Sequence, residues 1–184
     1  MRPVALWVAQ EAGEVSAADR VETREAEGAP EDPGQQAEKT IRALDAGAMA
    51  AAFAVNAIGP ALVLRHFLPV MPKERRTVFA VLSAKVGSIG DNRLGGWYSY
   101  RASKAALNML IKTASIEVRR SQPNAVLLAL HPGTVNSDLS RPFRGAEIGR
   151  PPADAARDLL RVIDSLGPEA SGGFHAYSAE VLPW

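Results

Sequence analysis

The chain has 184 residues, 47% of them hydrophobic, which is enough apolar side chain for one domain with a real core. It contains no run of 18 apolar residues and no cluster of bases, so neither a membrane span nor a nucleic-acid surface is expected. Cysteine is absent, which excludes disulfides and thiol chemistry and is compatible with a cytoplasmic location.

The net charge of +1 hides an asymmetry. Residues 11–38 carry nine acids and two bases, a net of −7, so the remainder carries +8. Residues 4–9, Val-Ala-Leu-Trp-Val-Ala, form a short apolar run suited to one strand. From 11 to 40 the only large apolar side chains are Val15 and Val21. Such a segment cannot bury enough surface to offset its ordering entropy. Residues 1–38 therefore read as a divergent leader, disordered or loosely helical over 10–38, and 39–184 as the folded portion.

Residues 41–54 are Ala-rich and helical in character, and 53–71 read as a long helix. Phe53, Ala57, Ala61, Leu64 and Leu68 share its apolar face. Pro60 lacks an N–H and cannot bond to the carbonyl of Asn56, so the sequence predicts a kink there. Thr77–Leu82 is a continuous apolar, β-rich run, as a strand buried on both faces should be. It leads into Ser83-Ala84-Lys85-Val86-Gly87-Ser88.

The segment 98–119 reads as a helix opened by the pair Gly95-Gly96. Tyr100 and Lys104 lie four apart and so stack on one face. A cation about 5 Å from a phenol, at an effective dielectric of ~20, favours the phenolate by roughly 3 kcal/mol, or about two pKa units. Residues 124–130 form a second buried strand, followed by His131-Pro132-Gly133-Thr134-Val135-Asn136-Ser137. Neither a Gly-x-Ser-x-Gly elbow nor a metal-spaced partner accompanies His131, which reads as structural. Residues 138–152, with three prolines and two glycines, suit a mobile loop over a pocket. Residues 152–166 read as an amphipathic helix with Ala156, Leu159, Leu160 and Ile163 inward, and 172–177 as a last edge strand.

The run Tyr100-Arg-Ala-Ser-Lys104-Ala-Ala-Leu-Asn resembles the active-site helix of the short-chain dehydrogenase/reductase family. The resemblance extends from about Ala37 to Trp184 and is greatest to the C-factor-type subgroup, through 81–88, Asp91–Tyr98 and Ser171–Phe174. It implies an α/β fold: the C-terminal half of a doubly wound, Rossmann-like parallel sheet, with about three core strands. It also implies an NAD- or NADP-dependent oxidoreductase acting on a small carbonyl or secondary alcohol.

By that resemblance Tyr100 is the general acid or base, Lys104 lowers its pKa and holds the ribose, and Asn56 positions a relay water. Pro132, Gly133, Val135 and Ser137 match the segment that contacts the nicotinamide. The family's hydroxyl donor to the substrate stands three residues before a Gly, where this chain has Ala84; either Ser83 or Ser88 serves instead, Ser83 being the expected choice, or the donor is lost. The helices at 53–71 and 98–119 match the pair through which such proteins commonly form homo-oligomers.

The family's Gly-x-x-x-Gly-x-Gly, which lets the backbone approach the cofactor phosphates, occurs nowhere in the chain, nor does its Asn-Ala-Gly motif. Two alternatives to an active oxidoreductase follow: a non-catalytic interaction or signalling protein of the same family, or a truncated gene product. An apolar sheet edge is expected beside 77–82 unless residues 4–9 fill it, and with it lower stability than a full-length member.

Overall fold

Thr77–Leu82 and Ala125–His131 are the longest uninterrupted β-rich runs, and they pair as the centre of the sheet. The computed structural model describes residues 4–7, 38–137, 140 and 144–184. Four parallel strands stand in chain order: β1 (Val4–Trp7), β2 (Thr77–Leu82), β3 (Ala125–His131) and β4 (Gly173–Ala176). Leu82 pairs with Leu130, and Leu128 with Gly173. The sheet therefore has four strands rather than about three. β1 lies against β2 with Val4 opposite Val78, so part of the 4–9 run takes the place that otherwise would be an open edge. The expected disorder over 10–38 falls outside the described residues except at Glu38.

Alternate residues of β2, β3 and β4 point to opposite faces, and both faces are covered. Phe79, Val81, Leu127, Ala129 and Phe174 pack under α2 (Gly59–Phe67) and α3 (Tyr98–Val118). Val78, Ala80, Val126, Leu128 and Leu130 pack under α5 (Pro152–Ser165), which follows the short α4 (Gly145–Ile148). Burying both faces explains why the strands read as continuous apolar runs. The first two crossovers place their helices on one face, whereas α5 lies on the other while the chain still steps in the same direction. The third crossover thus has the opposite hand, and the long connection after β3 supplies the length it needs.

The inner face of α5 is Ala155, Leu159, Val162 and Ile163. The expected Ala156 and Leu160 are exposed. The period was right, but the stripe is rotated by one position. Arg76 helps set this by donating to the Ile163 and Leu166 carbonyls at the end of α5, a distant cap that a local pattern does not reveal.

Helix α1 (Ala46–Phe53) and α2 are one rod joined by a π turn at Ala54–Ile58. The kink predicted from Pro60 is therefore a widened turn that absorbs the missing N–H. Asp45 caps the rod by accepting from the Ala48 N–H at 2.7 Å. By length and composition the helical stretch Ala46–Val70 could cross a membrane, contrary to the expectation from apolar runs. Here it packs on α3 and the sheet through Ala57 and Leu64.

Entry into α3 is strained. Gly95, Gly96 and Trp97 all have left-handed backbone, at φ 64°, 66° and 54°. Glycine takes this freely, whereas Trp97 is held in it. Glu38 supplies the hold: its carbonyl accepts from the Trp97 N–H at 2.6 Å, and its carboxylate accepts from the Ser99 N–H and hydroxyl. Trp97 itself offers no side-chain cap, so a carboxylate from 61 residues away takes that role at the positive end of α3.

Burial pushes the Glu38 carboxyl up, but the hydrogen bonds from Ser99 outweigh it and hold the pKa below the ordinary 4.5. A lowered folded pKa means that the contribution exists above that value and is lost as pH falls through it. Glu38→Ala should lower the melting temperature by about 2–4 °C at pH 7, equivalent to roughly 1 kcal/mol. Thermal melts should show this difference shrinking below pH 4.5, the ordinary value for the group.

Candidate active site

The site assembles where the C-terminal ends of β2 and β3 meet the first turns of α3. Lys104 is only 5% exposed, and its Nζ donates to the Leu82 carbonyl, the last residue of β2, at 2.9 Å. Gly87 makes room for this. A Cβ there would lie 2.7 Å from the Lys104 Cβ, so a side chain at 87 would push α3 off the turn at Lys85–Gly87. Arg101 fixes the same loop from the other flank by donating to the Val86, Gly95 and Gly96 carbonyls.

Tyr100 and Lys104 do come together, with Nζ 5.8 Å from the centre of the phenol ring. The expected drop in the Tyr100 pKa does not follow. Burial raises it above its ordinary value, and the same burial lowers Lys104 to about 8. The two effects compound. By the pH at which Tyr100 would ionise, Lys104 has already lost the charge that should have helped. Near neutral pH the pair is a protonated phenol beside an ammonium.

Asn56 lies in the π turn, where its Nδ2 donates to Ser103 Oγ at 3.1 Å. Ser83 is buried, and its hydroxyl donates to Asn108 Oδ1 at 2.6 Å. Ser83 Oγ therefore points back into α3, and its one proton is taken. Ser88 Oγ accepts from the Asp91 N–H and shapes the loop. Ala84 caps the turn with no hydroxyl to give. The Ser83 hydroxyl is thus engaged with α3, the Ser88 Oγ is bonded as an acceptor within its loop, and Ala84 has no hydroxyl.

After β3 the chain turns at Gly133, φ 78°, where a Cβ would meet the Tyr177 ring at 2.8 Å. Tyr177 in turn carries the Arg150 guanidinium 4.2 Å from its ring centre. Asn136 and Arg150, and Arg150 and Thr134, exchange backbone hydrogen bonds at 2.9 Å. Val135 and Ser137 are both tied to Ser140, whose hydroxyl donates to the Val135 carbonyl and accepts from the Ser137 N–H. The described part of 138–152 bonds to the strand end through Ser140 and Arg150; 138, 139 and 141–143 of the expected mobile loop lie outside the described residues. His131 closes β3 with a buried Nδ1 that has no partner among the described residues. Burial, helped by the Lys85 charge, holds its pKa at about 4, so it is neutral at working pH.

Three contributors were not read from the sequence: Ser103, Asn108 and Glu38. Each acts on a partner distant in sequence, and the only local signal was that Ser103 and Asn108 sit on the same helix as Tyr100.

A parallel sheet covered by helices on both faces, with a buried Tyr-x-x-x-Lys pair at its strand ends, makes this an α/β domain with a partial Rossmann-like fold. A family model for short chain dehydrogenases matches residues 32–147, and the chain belongs to that family. It is 38% identical over 141 residues to C-signal of Myxococcus xanthus, covering 77% of this chain and 81% of that one. It is 36% identical over 130 residues to 1-hydroxy-2-glutathionyl-2-methyl-3-butene dehydrogenase of Rhodococcus sp. (strain AD45), covering 71% of this chain and 56% of that one. Among solved structures it is similar to the carbonyl reductase Sniffer of D. melanogaster, with TM-score 0.70 and 25% identity. It is likewise similar to an NADPH-bound carbonyl reductase from chicken fatty liver, with TM-score 0.69 and 29% identity. The chain spans 62% of the length of each of these two reductases and is itself covered to 81%.

The Lys104 titration has a stability signature. Its folded pKa of about 8 lies below the ordinary 10.5, so between those values the unfolded chain binds more protons and stability rises with pH. Denaturant melts should show wild-type stability climbing from pH 8 to 10, and Lys104→Met should show no such climb.

Proposed function

We propose that the chain carries the chemistry half of an NAD(P)-dependent carbonyl reductase. The observation that carries this reading is the buried Tyr100–Lys104 pair held at the strand ends by the Leu82 carbonyl. The protonation state favours reduction: a phenol kept neutral by burial is poised to give a proton to a carbonyl oxygen, with Tyr100 Oη as the general acid. In the reverse direction the same atom would take the proton from a secondary alcohol.

A bound reduced nicotinamide would supply the hydride to the carbonyl carbon. The residues present fit its nicotinamide side. Lys104 uses one of its three N–H donors on Leu82 and has two left for ribose hydroxyls. Pro132, Gly133, Val135 and Ser137 would line the carboxamide, on a loop already fixed through Ser140 and Arg150. The pyrophosphate side finds no such fit, since the sequence lacks the glycine pattern that admits phosphates to a helix start. The similarity to an NADPH-bound chicken reductase supports a nicotinamide cofactor, NAD or NADP. Asn56 would serve the proton path from Tyr100 and Lys104. Substrate oxygen would be held by Tyr100, since the Ser83 hydroxyl is bonded to Asn108, with the Ser88 hydroxyl as the remaining candidate donor.

A second reading rests on a separate observation. Val55, Ile58 and Leu62 on the α1–α2 rod, and Met109, Leu110 and Ile116 on α3, are large apolar side chains left exposed. We infer that these faces pair two copies of the chain, in the cytoplasm, with no nucleic acid or membrane partner. The similarity to C-signal supports an interaction or signalling role for the same surface.

The test is reduction of a small aromatic aldehyde by NADPH at pH 6–7. Wild type should turn over, and Tyr100→Phe should lose roughly a hundredfold or more in kcat, the scale of a general acid. Equal rates in the two would refute the assignment of Tyr100.

A further inference from the structure

The turn of α3 that carries Tyr100 and Lys104 also carries Ser103, which is completely buried. Its hydroxyl has one proton and donates it to the Tyr100 carbonyl at 2.9 Å. Its lone pair accepts from Asn56 Nδ2 at 3.1 Å. Asn56 stands in the π turn at Ala54–Ile58, a widened stretch of helix of the kind that recurs at functional sites. Two neighbours on α3 therefore anchor it in two directions. Lys104 is tied to the end of β2 through Leu82, and Ser103 is tied to the α1–α2 rod through Asn56. The backbone group shared by the second anchor is the carbonyl of Tyr100 itself.

We propose that Ser103 is a positioning residue: its hydroxyl locks the Asn56 turn to the Tyr100 carbonyl and so sets the phenol against the Lys104 ammonium. This rests on the reading of Tyr100 as the proton donor. A hydroxyl bonded back to a carbonyl one turn earlier competes with the helical ladder and bends the helix locally. Here the accepting carbonyl belongs to the residue whose ring centre lies 5.8 Å from Nζ. Removing the hydroxyl leaves the half-buried Asn56 Nδ2 without its partner, and such a group turns away or draws in water. The π turn and α3 then lose their common point, while Lys104 stays fixed to the sheet. The relation between Tyr100 and Lys104 is what changes, and that separates a positioning role from general packing.

The experiment follows Tyr100 without relying on turnover. The chain has three tyrosines, so ring-carbon labelling gives three NMR signals, and Tyr100→Phe assigns the one that matters. Its shift should inflect as Lys104 loses its charge near pH 8. Ser103→Ala and Asn56→Ala should each move that inflection by about half a pH unit or more. The double variant should move it no further than either single, as groups in one network do. Ser103→Thr, which keeps the hydroxyl, should restore the wild-type midpoint. In the reductase assay Ser103→Ala should lower kcat about tenfold with KM unchanged, the pattern for an interaction that matters only in the transition state. An inflection unmoved in folded Ser103→Ala, or shifts that simply add, would overturn the proposal. If Ser103→Ala does not fold, Asn56→Ala reads the same link from its other end. Absence of reductase activity would count against Tyr100 as proton donor while leaving the NMR result to decide the lock.

Discussion

One hydrogen bond organises the strand ends: Lys104 Nζ to the carbonyl of Leu82. It joins a buried ammonium on α3 to the last residue of β2, and much of the neighbourhood is arranged to permit it. Gly87 has no side chain because one would collide with Lys104. Arg101 gathers the Val86 and Gly95–Gly96 carbonyls so that the loop closes over the same turn. Glu38 secures the helix start at Trp97 and Ser99. The cost is visible in Lys104 itself, whose ammonium is desolvated enough to bring its pKa to about 8. The hydrogen bond to Leu82 offsets part of that desolvation, and a desolvated lysine of this kind is what the proposed role at a cofactor's hydroxyls would use.

That arrangement alters how the Tyr-Lys pair works. Simple Coulomb reasoning had the cation acidifying the phenol, and distance alone supports it. Burial acts on both groups, however, and pushes their pKa values in the directions that keep Tyr100 protonated and make Lys104 easier to discharge. The pair is suited to giving a proton at neutral pH. The deprotonated phenol needed for alcohol oxidation would require a second positive charge beside it. Burial alone thus keeps Tyr100 protonated at neutral pH, the state that the proposed reduction uses.

The central strands were legible because a parallel sheet covered on both faces demands unbroken apolar runs, and Thr77–Leu82 came out with the expected ends. The kink at Asn56 followed from proline chemistry alone and took the form of a π turn. The helix carrying Tyr100 and Lys104 showed in its composition and in the Gly pair before it. What the sequence hid were bonds between distant residues. Glu38 reaches Ser99 and Asn56 reaches Ser103 across 61 and 47 positions. No local pattern encodes either. The stripe of α5 was misplaced because Ala156 and Leu160 fit a helical period as well as Ala155 and Val162 do; the phase is set by the sheet and by Arg76. Ser83 looked like a donor by its place after the strand, and only the partner Asn108 shows where its proton goes.

The proposed site would hold the nicotinamide side of a cofactor, while the sequence marks no glycine pattern for its adenine and phosphate side. The direct measurement is a fluorescence titration of the purified chain with reduced nicotinamide mononucleotide in parallel with NADPH. Affinities within about threefold of each other would show that the Tyr100–Lys104 face holds the ligand unaided, as proposed. NADPH binding about a hundredfold tighter, near 2.7 kcal/mol, would mean that the chain grips the adenine side as well. That result, or no binding of either at millimolar concentration, would contradict the division of the site drawn here.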